Sequence, residues 1–346
     1  PRLTFEEIPI KGHEMKSMLS LEVGGPETLV LSDLEMPVPS EKQVRIRVHA
    51  AGVNFPDTLI IRDLYQMKPP RPFAPGGEIA GVIEEVGEGV THLNVGDRVL
   101  GMTYLARFCG HVVAEAAQIV KIPDNMPFDE AACFVLTYGT SHHALKDRAA
   151  IKEGETLLIL GAAGGVGVAA IELGKAAGAK VIAAVSSEEK AQFCKDLGAD
   201  ETLIYSRDMS DRAAQKEFSA QIKALCGSNG ADVIYDAVGG DYAEPAVRSL
   251  AWKGRYLVVG FPAGIPSIPL NLTLLKGCQI VGVFWGAHTL REPQSHAENM
   301  GDLFRLYGAG KIKPRISASY PLEKAGDALQ LLQDRKVLGK VVVTMD

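Results

Sequence analysis

The stretch from Thr156 to Ala191, TLLILGAAGGVGVAAIELGKAAGAKVIAAVSSEEKA, limits the possible folds more than any other part of the chain. A short apolar run leads into A-A-G-G-V-G. A helical segment, a second apolar run and the start of another helix follow. A glycine-rich turn in that setting, after a strand and opening a helix, is one that can hold a dinucleotide pyrophosphate. Ala162, Gly164 and Gly167 take the three fingerprint positions, with alanine in place of the first glycine. Gly164 lets the backbone approach the pyrophosphate, and Gly167 lets the helix pack closely on the strand. The free N–H groups at the helix start offer partial positive charge to an anion. Ala163, Gly164, Gly165 and Val166 are therefore the expected phosphate contacts. A tight turn that binds nothing is the alternative, and the strand–helix units that follow argue against it.

Those units run from about Thr137 to Trp285. The apolar strands expected are TLLILG, KVIAAV, ETLIYS, ADVIYDA, GRYLVVGF and CQIVGVFW, with amphipathic segments such as DRAAQKEFSAQIKALCG between them. Near-continuous apolar strands joined by crossover helices indicate a parallel sheet covered on both faces, and six in this rhythm match a doubly wound Rossmann fold. From Met15 to Ile122 the texture differs: QVRIRVHAAGV, EIAGVIEEVG and HVVAEAAQIVKI are short alternating runs punctuated by Gly and Pro. They predict a partly open β-barrel. The tail, with helices near 297–310 and 322–335 and a final strand KVVVTM, is too short to fold alone. The expected division is residues 1–136 with 288–346 as one domain, and 137–287 as the other.

At 346 residues, with 47% hydrophobic and 23% charged residues, the composition is that of an ordinary globular protein. The net charge of −6, with basic residues scattered, argues against nucleic acid or an anionic membrane as partner. No apolar run is long enough to span a bilayer. The first residues, PRLTFEEIPIKGHE, lack the apolar core of a secretory signal. Five scattered cysteines without a C-x-x-C pair read as reduced thiols, and the expected location is the cytoplasm.

The second strand of the unit, KVIAAV, ends in Ser186 and Ser187, where an NAD-binding fold carries an acid for the ribose 2′-hydroxyl. Two hydroxyls, with Lys190 one turn into the next helix, suit a 2′-phosphate instead. Tyr205, ending the third strand, and Arg207 are further candidates. Ser186 with Glu189 also reads as a capping box, and both uses can coexist. NADPH is the cofactor expected.

AAGVNFPDTLIIRDLY, PGGEIAGVIEEVGEGV, VGDRVLG, LTYGTSHHAL, AAGGVG, VIYDAVGG and LGKVVV together resemble the medium-chain dehydrogenase/reductase superfamily. Within it, the first motif points to the zinc-independent NADPH:quinone reductase group that includes zeta-crystallin. The likeness covers nearly everything after Met15. It implies a GroES-like barrel as the catalytic domain beside the Rossmann domain. Zinc alcohol dehydrogenases have cysteine where Asn54 stands and histidine where Gly77 stands, and neither residue here is a usual zinc ligand. The four-cysteine structural lobe is missing too. The resemblance therefore implies no metal, Glu78 as a buried structural acid, and an acceptor that is already electrophilic, such as a quinone or an activated enone.

From the resemblance, Asn54 positions the nicotinamide ribose or the substrate, and Tyr65 donates a hydrogen bond or proton to the acceptor oxygen. A loop tyrosine capping a backbone group is the alternative for Tyr65. Leu59 stands where bacterial quinone reductases often have tyrosine. Thr140 is implied to meet the carboxamide, or to cap a helix. Gly260, Phe261, Phe284 and Trp285 flank the nicotinamide half, and Lys340 reaches the phosphates or is solvated. His142 and His143 are expected as packing and surface residues, and Asp236 as the anchor of the loop after the fourth strand. The apolar edge strand CQIVGVFW predicts a homodimer, since an exposed edge invites pairing. Two other functions stay open. An enoyl-thioester (enoyl-CoA) reductase would use Arg62, Lys68 and Arg71 for phosphates; a non-catalytic NADPH-binding crystallin-like protein would use none of this chemistry.

Overall fold

Alternation in the first third of the chain becomes antiparallel strands. In a computed structural model, residues 14–103 and 108–345 are described; the leading segment, expected to carry no secretory signal, lies outside them. The strands are β1 (Glu14–Ser20), β2 (Leu29–Glu35), β3 (Gln43–Val53), β4 (Glu78–Val86), β5 (Arg98–Met102), β6 (His111–Glu115) and β7 (Ile119–Lys121), with helix α1 (Phe55–Ile60) directly after β3. In β3 the residues Val44, Ile46, Val48 and Ala50 are buried, while Arg45 and Arg47 take the other face. That is the period of two expected when one side of a strand meets a core. Strand β3 pairs antiparallel with β4 on one side and β6 on the other.

The second region alternates strands and helices. Two helices, α2 (Phe128–Ala131) and α3 (Val135–His142), come first, and α3 continues into a π-helical segment, His143–Arg148. Then follow β8 (Thr156–Leu160), α4 (Gly165–Ala176), β9 (Lys180–Val185), α5 (Glu188–Asp196), β10 (Glu201–Ile204), α6 (Arg212–Cys226) and β11 (Ala231–Asp236). After them come α7 (Ala243–Val247), β12 (Leu250–Val258), α8 (Asn271–Lys276), β13 (Gln279–Gly282), α9 (Trp285–Arg291) and α10 (Pro293–Gly308). The chain closes with β14 (Ile316–Pro321), α11 (Ala325–Gln333) and β15 (Lys340–Thr344). The six-stranded sheet is ordered β10-β9-β8-β11-β12-β13 with every pair parallel. This is the doubly wound order, with its topological switch between β8 and β11. The other sheet is ordered β14-β15-β3-β4-β5-β7, with β6 beside β3.

Phe218 and Ile222, four apart on α6, are buried with Leu158, Ile182, Ile234 and Tyr256 of the parallel strands. Full burial of one such side chain contributes about 1.5–3 kcal/mol. None of the five cysteines forms a disulfide, and four are buried. Among the described residues no helix is long and apolar enough to cross a membrane.

Two sequence expectations change. The last parallel strand is only Gln279–Gly282, because Gly282 already pairs with Val258 at the end of β12; Trp285 opens a helix instead. The chain forms two units whose boundaries also differ from 136 and 287: residues 125–318 with 335–341 make one, and 319–334 joins the barrel unit. The reason is aromatic packing, since Phe304 on α10 stacks on Phe134 at 5.6 Å between ring centroids and so holds the 288–318 region to the second unit.

Candidate functional site

Strand β8 ends at Leu160, and Gly161 turns the chain with φ +73°, a conformation costly for any residue with a Cβ. Its carbonyl accepts from Gly164 N–H at 3.1 Å, and Gly164 is the N-cap of α4. The positive-φ role of the first fingerprint glycine is thus filled by Gly161, one residue ahead of Ala162. A Cβ on Gly167 would lie 2.4 Å from the Gly161 carbonyl oxygen, so glycine is required where α4 passes the turn. Gly165 faces Lys340, whose Cδ would be 2.9 Å from a Cβ there, and the Gly339 N–H donates to the Ala163 carbonyl at 2.8 Å. Lys340 is only 4% exposed, so it is a buried neighbour of the glycine turn and not a solvated lysine.

At the end of β9 the helix cap is Ser187, not Ser186. The Ser187 hydroxyl accepts from the Lys190 N–H at 3.3 Å, and the residue at that capping position is Lys190, so the Ser186–Glu189 capping box does not form. Burial lowers the Lys190 ammonium pKa, and repulsion from Arg207 and Arg335 adds to the shift. Three cations therefore share one neighbourhood, and Lys190 Nζ donates to the Arg335 carbonyl at 3.1 Å. Sequence reasoning did not find Arg335: it lies 145 residues from Lys190, with no local motif around it. Tyr205 packs edge-on against Phe218 and tilted against Tyr242, and burial pushes its phenol pKa well up.

Because the sheet is parallel, the ends of β8, β9, β11, β12 and β13 lie along one edge, where ligands of such folds bind. Asp236, 2% exposed at the end of β11, accepts from the Val238 and Gly239 N–H groups at 2.8 and 2.9 Å and from the Tyr256 hydroxyl. It anchors that loop, as expected. Gly239 in turn packs against Phe261, and the Gly260 N–H donates to the Asp236 carbonyl at 3.3 Å. Phe261 and Phe284 are exposed at 45% and 63%, whereas Trp285 is buried with its ring against Gly139. Thr140 lies within α3, next to Gly139 and away from the helix N-cap, Phe134. His142 and His143 are both buried, which corrects the surface assignment.

In the barrel unit Asn54 is 5% exposed and caps α1. Its backbone N–H donates to Asp57 Oδ2 at 2.8 Å, and its side-chain Nδ2 donates to Glu78 Oε2 at 3.0 Å. Glu78 is fully buried, as the sequence implied. Burial raises the Tyr65 phenol pKa, and the nearby Asp57 carboxylate adds to the shift, so the hydroxyl keeps its proton through the physiological range. Among the described residues that hydroxyl finds no hydrogen-bond partner, which argues against a backbone-capping role. Arg71 is committed to Asp63, Ser20 and the Ile61 carbonyl, and Arg62 to Gln333.

The family described as Alcohol dehydrogenase GroES-like domain matches residues 40–127, and Zinc-binding dehydrogenase matches residues 165–300. A quinone oxidoreductase-like protein 2 homolog from Nematostella vectensis is 38% identical, over 99% of this chain and 92% of its own. The chain belongs to the quinone oxidoreductase branch of the medium-chain dehydrogenase/reductase superfamily. A mycobacterial protein solved in complex with NADPH is similar with TM-score 0.87 at 31% identity, covering 95% of this chain and 99% of that one. The CurK enoyl reductase is similar with TM-score 0.85 at 27% identity, over 96% and 100%. The family description implies zinc, but the donors around Asn54 do not fit it. The Asn54 carboxamide is tied to Glu78, Gly77 offers no side chain, and zinc takes imidazole, thiolate or carboxylate.

Proposed function

We propose that this oxidoreductase is zinc-independent and uses NADPH to reduce a quinone or an activated enone. The observation that carries the reading is the end of β9: two serines and three cations stand where an NAD-specific fold places a carboxylate. Ser186, Ser187, Lys190, Arg207 and Arg335 then hold the 2′-phosphate, with Tyr205 walling that pocket. Ala163, Gly164, Gly165 and Val166 hold the pyrophosphate, aided by Lys340. Thr140, Gly260, Phe261, Phe284 and Trp285 shape the nicotinamide half.

Bound NADPH supplies the hydride. Tyr65, kept protonated, donates to the acceptor oxygen as negative charge develops there, a role worth about 10²–10⁴-fold in rate. Asn54, fixed by Glu78, orients the reacting partners. An acceptor with its own electrophilic carbonyl needs no Lewis acid. The exposed Ile280 on edge strand β13, with Leu274 and Leu275 shortly before it in the chain, supports the homodimer, and the lack of disulfides supports a cytoplasmic location.

The enoyl-thioester reading draws on the same Asn54 and Tyr65. It is weaker because Arg62 and Arg71 already have partners inside the protein, which leaves Lys68 alone of the expected basic path. The test is NADPH oxidation with a small quinone and with crotonyl-CoA, side by side. Turnover of the quinone, and a KM for NADPH raised about 10-fold by Lys190→Ala or Arg335→Ala with NADH unaffected, are expected; this corresponds to about 1.4 kcal/mol of phosphate binding. Reduction of crotonyl-CoA alone, or equal use of both coenzymes, would overturn it.

A further inference from the structure

One group of polar side chains, where α3 runs into the π-helical segment, has no part in the roles above. We propose that His143, Asp147 and His288 bind a divalent transition-metal ion of the Zn²⁺ type, which fastens α9 to the end of α3. The three offer one ligand atom each, all within 4.8 Å of one another. His143 Nδ1 lies 2.7 Å from Asp147 Oδ2, and His288 Nε2 lies 3.9 Å from the same oxygen. A tetrahedral ion with ligands at about 2.0–2.2 Å separates them by about 3.3–3.6 Å, so small side-chain rotations complete the set.

His288 is the second, independent observation. It is 4% exposed, and neither of its ring nitrogens makes a hydrogen bond. Buried polar atoms in folded proteins nearly always have partners, and an exception calls for an explanation such as an ion. The ring stacks on His143 at 4.0 Å between centroids, so both imidazoles sit side by side beside Asp147. The backbone contributes as well. His143 and Asp147 lie in the π-helical segment, a rare conformation frequent at functional sites.

A supporting shell is present. Asn299 Nδ2 donates to Asp147 Oδ2 at 2.7 Å, while Lys146 Nζ donates to Asn299 Oδ1 at 2.9 Å and to Asp302 at 2.7 Å. Such contacts orient metal-binding carboxylates, and Asp302 offsets the Lys146 charge. Asp147 reaches solvent, which gives the ion an entry route. Two imidazoles and one carboxylate select Zn²⁺, Ni²⁺ or Cu²⁺ over Mg²⁺ or Ca²⁺, and three ligands leave a fourth position for water. Trp285 and His288 share α9, so the ion would stiffen the helix whose tryptophan packs on Gly139.

The experiment titrates chelator-stripped, full-length protein with Co²⁺ and then with Zn²⁺. Expected are visible tetrahedral Co²⁺ bands saturating at one ion per chain, their loss on adding Zn²⁺, and a higher Tm. His288→Leu and Asp147→Asn should each weaken binding by about 100-fold or more, and Asn299→Ala by about 10–100-fold. Anomalous scattering from Zn²⁺-soaked wild-type crystals gives a check that needs no variant: a peak bonded to all three ligands is expected. Absent Co²⁺ bands, a peak elsewhere, or wild-type affinity in a folded His288→Leu protein would overturn the site. The readout is ion binding, so it stands or falls apart from NADPH turnover.

Discussion

In the barrel unit, Asn54 and Glu78 are buried and joined at 3.0 Å, and Asp57 closes the Asn54 N–H at 2.8 Å. In the second unit, His143 and His288 are equally buried, yet both ring nitrogens of His288 go without a hydrogen bond. One cluster is satisfied from within; in the other, Asp147 holds His143 and Asn299 holds Asp147, while His288 is left out. A satisfied buried network rigidifies the groups it holds, whereas an unsatisfied one costs free energy until a ligand arrives. Tyr65 in the first unit differs from both: it is only half-buried, and its hydroxyl has no hydrogen-bond partner among the described residues. On the roles proposed above, the difference separates groups that position from groups that act.

Three substitutions test this contrast. The largest effect is expected from Tyr65→Phe: kcat for quinone reduction should fall at least about 100-fold while stability stays unchanged, because the lost hydroxyl served no internal contact. A drop in Tm with unchanged kcat would reverse its assignment. Glu78→Leu should come next. It removes the nearer of the two acceptors of the Asn54 amide, leaving the Gly52 carbonyl at 3.4 Å, so urea unfolding should show a loss of about 1–3 kcal/mol, with kcat/KM falling as Asn54 loses its orientation. Undiminished stability would mean that the pair is not a satisfied anchor. The smallest effect is expected from His288→Leu in metal-free protein. Replacing unpaired polar atoms by apolar ones of similar size should leave stability within about 1 kcal/mol, or raise it. A large loss would show that His288 already has its partner.

Much of the fold was legible in the sequence. The strand–turn–helix at Thr156–Ala176 and the six parallel strands follow from periodicity, and the glycines from steric need. Even there, sequence reading placed the special glycine at an alanine, because φ at Gly161 is a property of the folded turn. The cap moved by one residue, from Ser186 to Ser187, since the helix start is fixed by where β9 ends and not by the motif alone. The edge strand shortened because its neighbour β12 stops opposite Gly282. Asn54, Tyr65 and the glycine turn are candidates that a motif singles out, being close in sequence to their own structural context. Arg335 and His288 were not, because no residue near either in the chain announces its partner.

The chain by itself determined what nearest neighbours decide: alternation in β3, the tight passage at Gly167, and serines in place of an acid after β9. Only the tertiary structure brought Arg335 to Lys190 and stacked His288 on His143. Local backbone preference acts over a few residues. A meeting across 145 positions is fixed by how whole helices pack, and that packing leaves no local trace in the sequence.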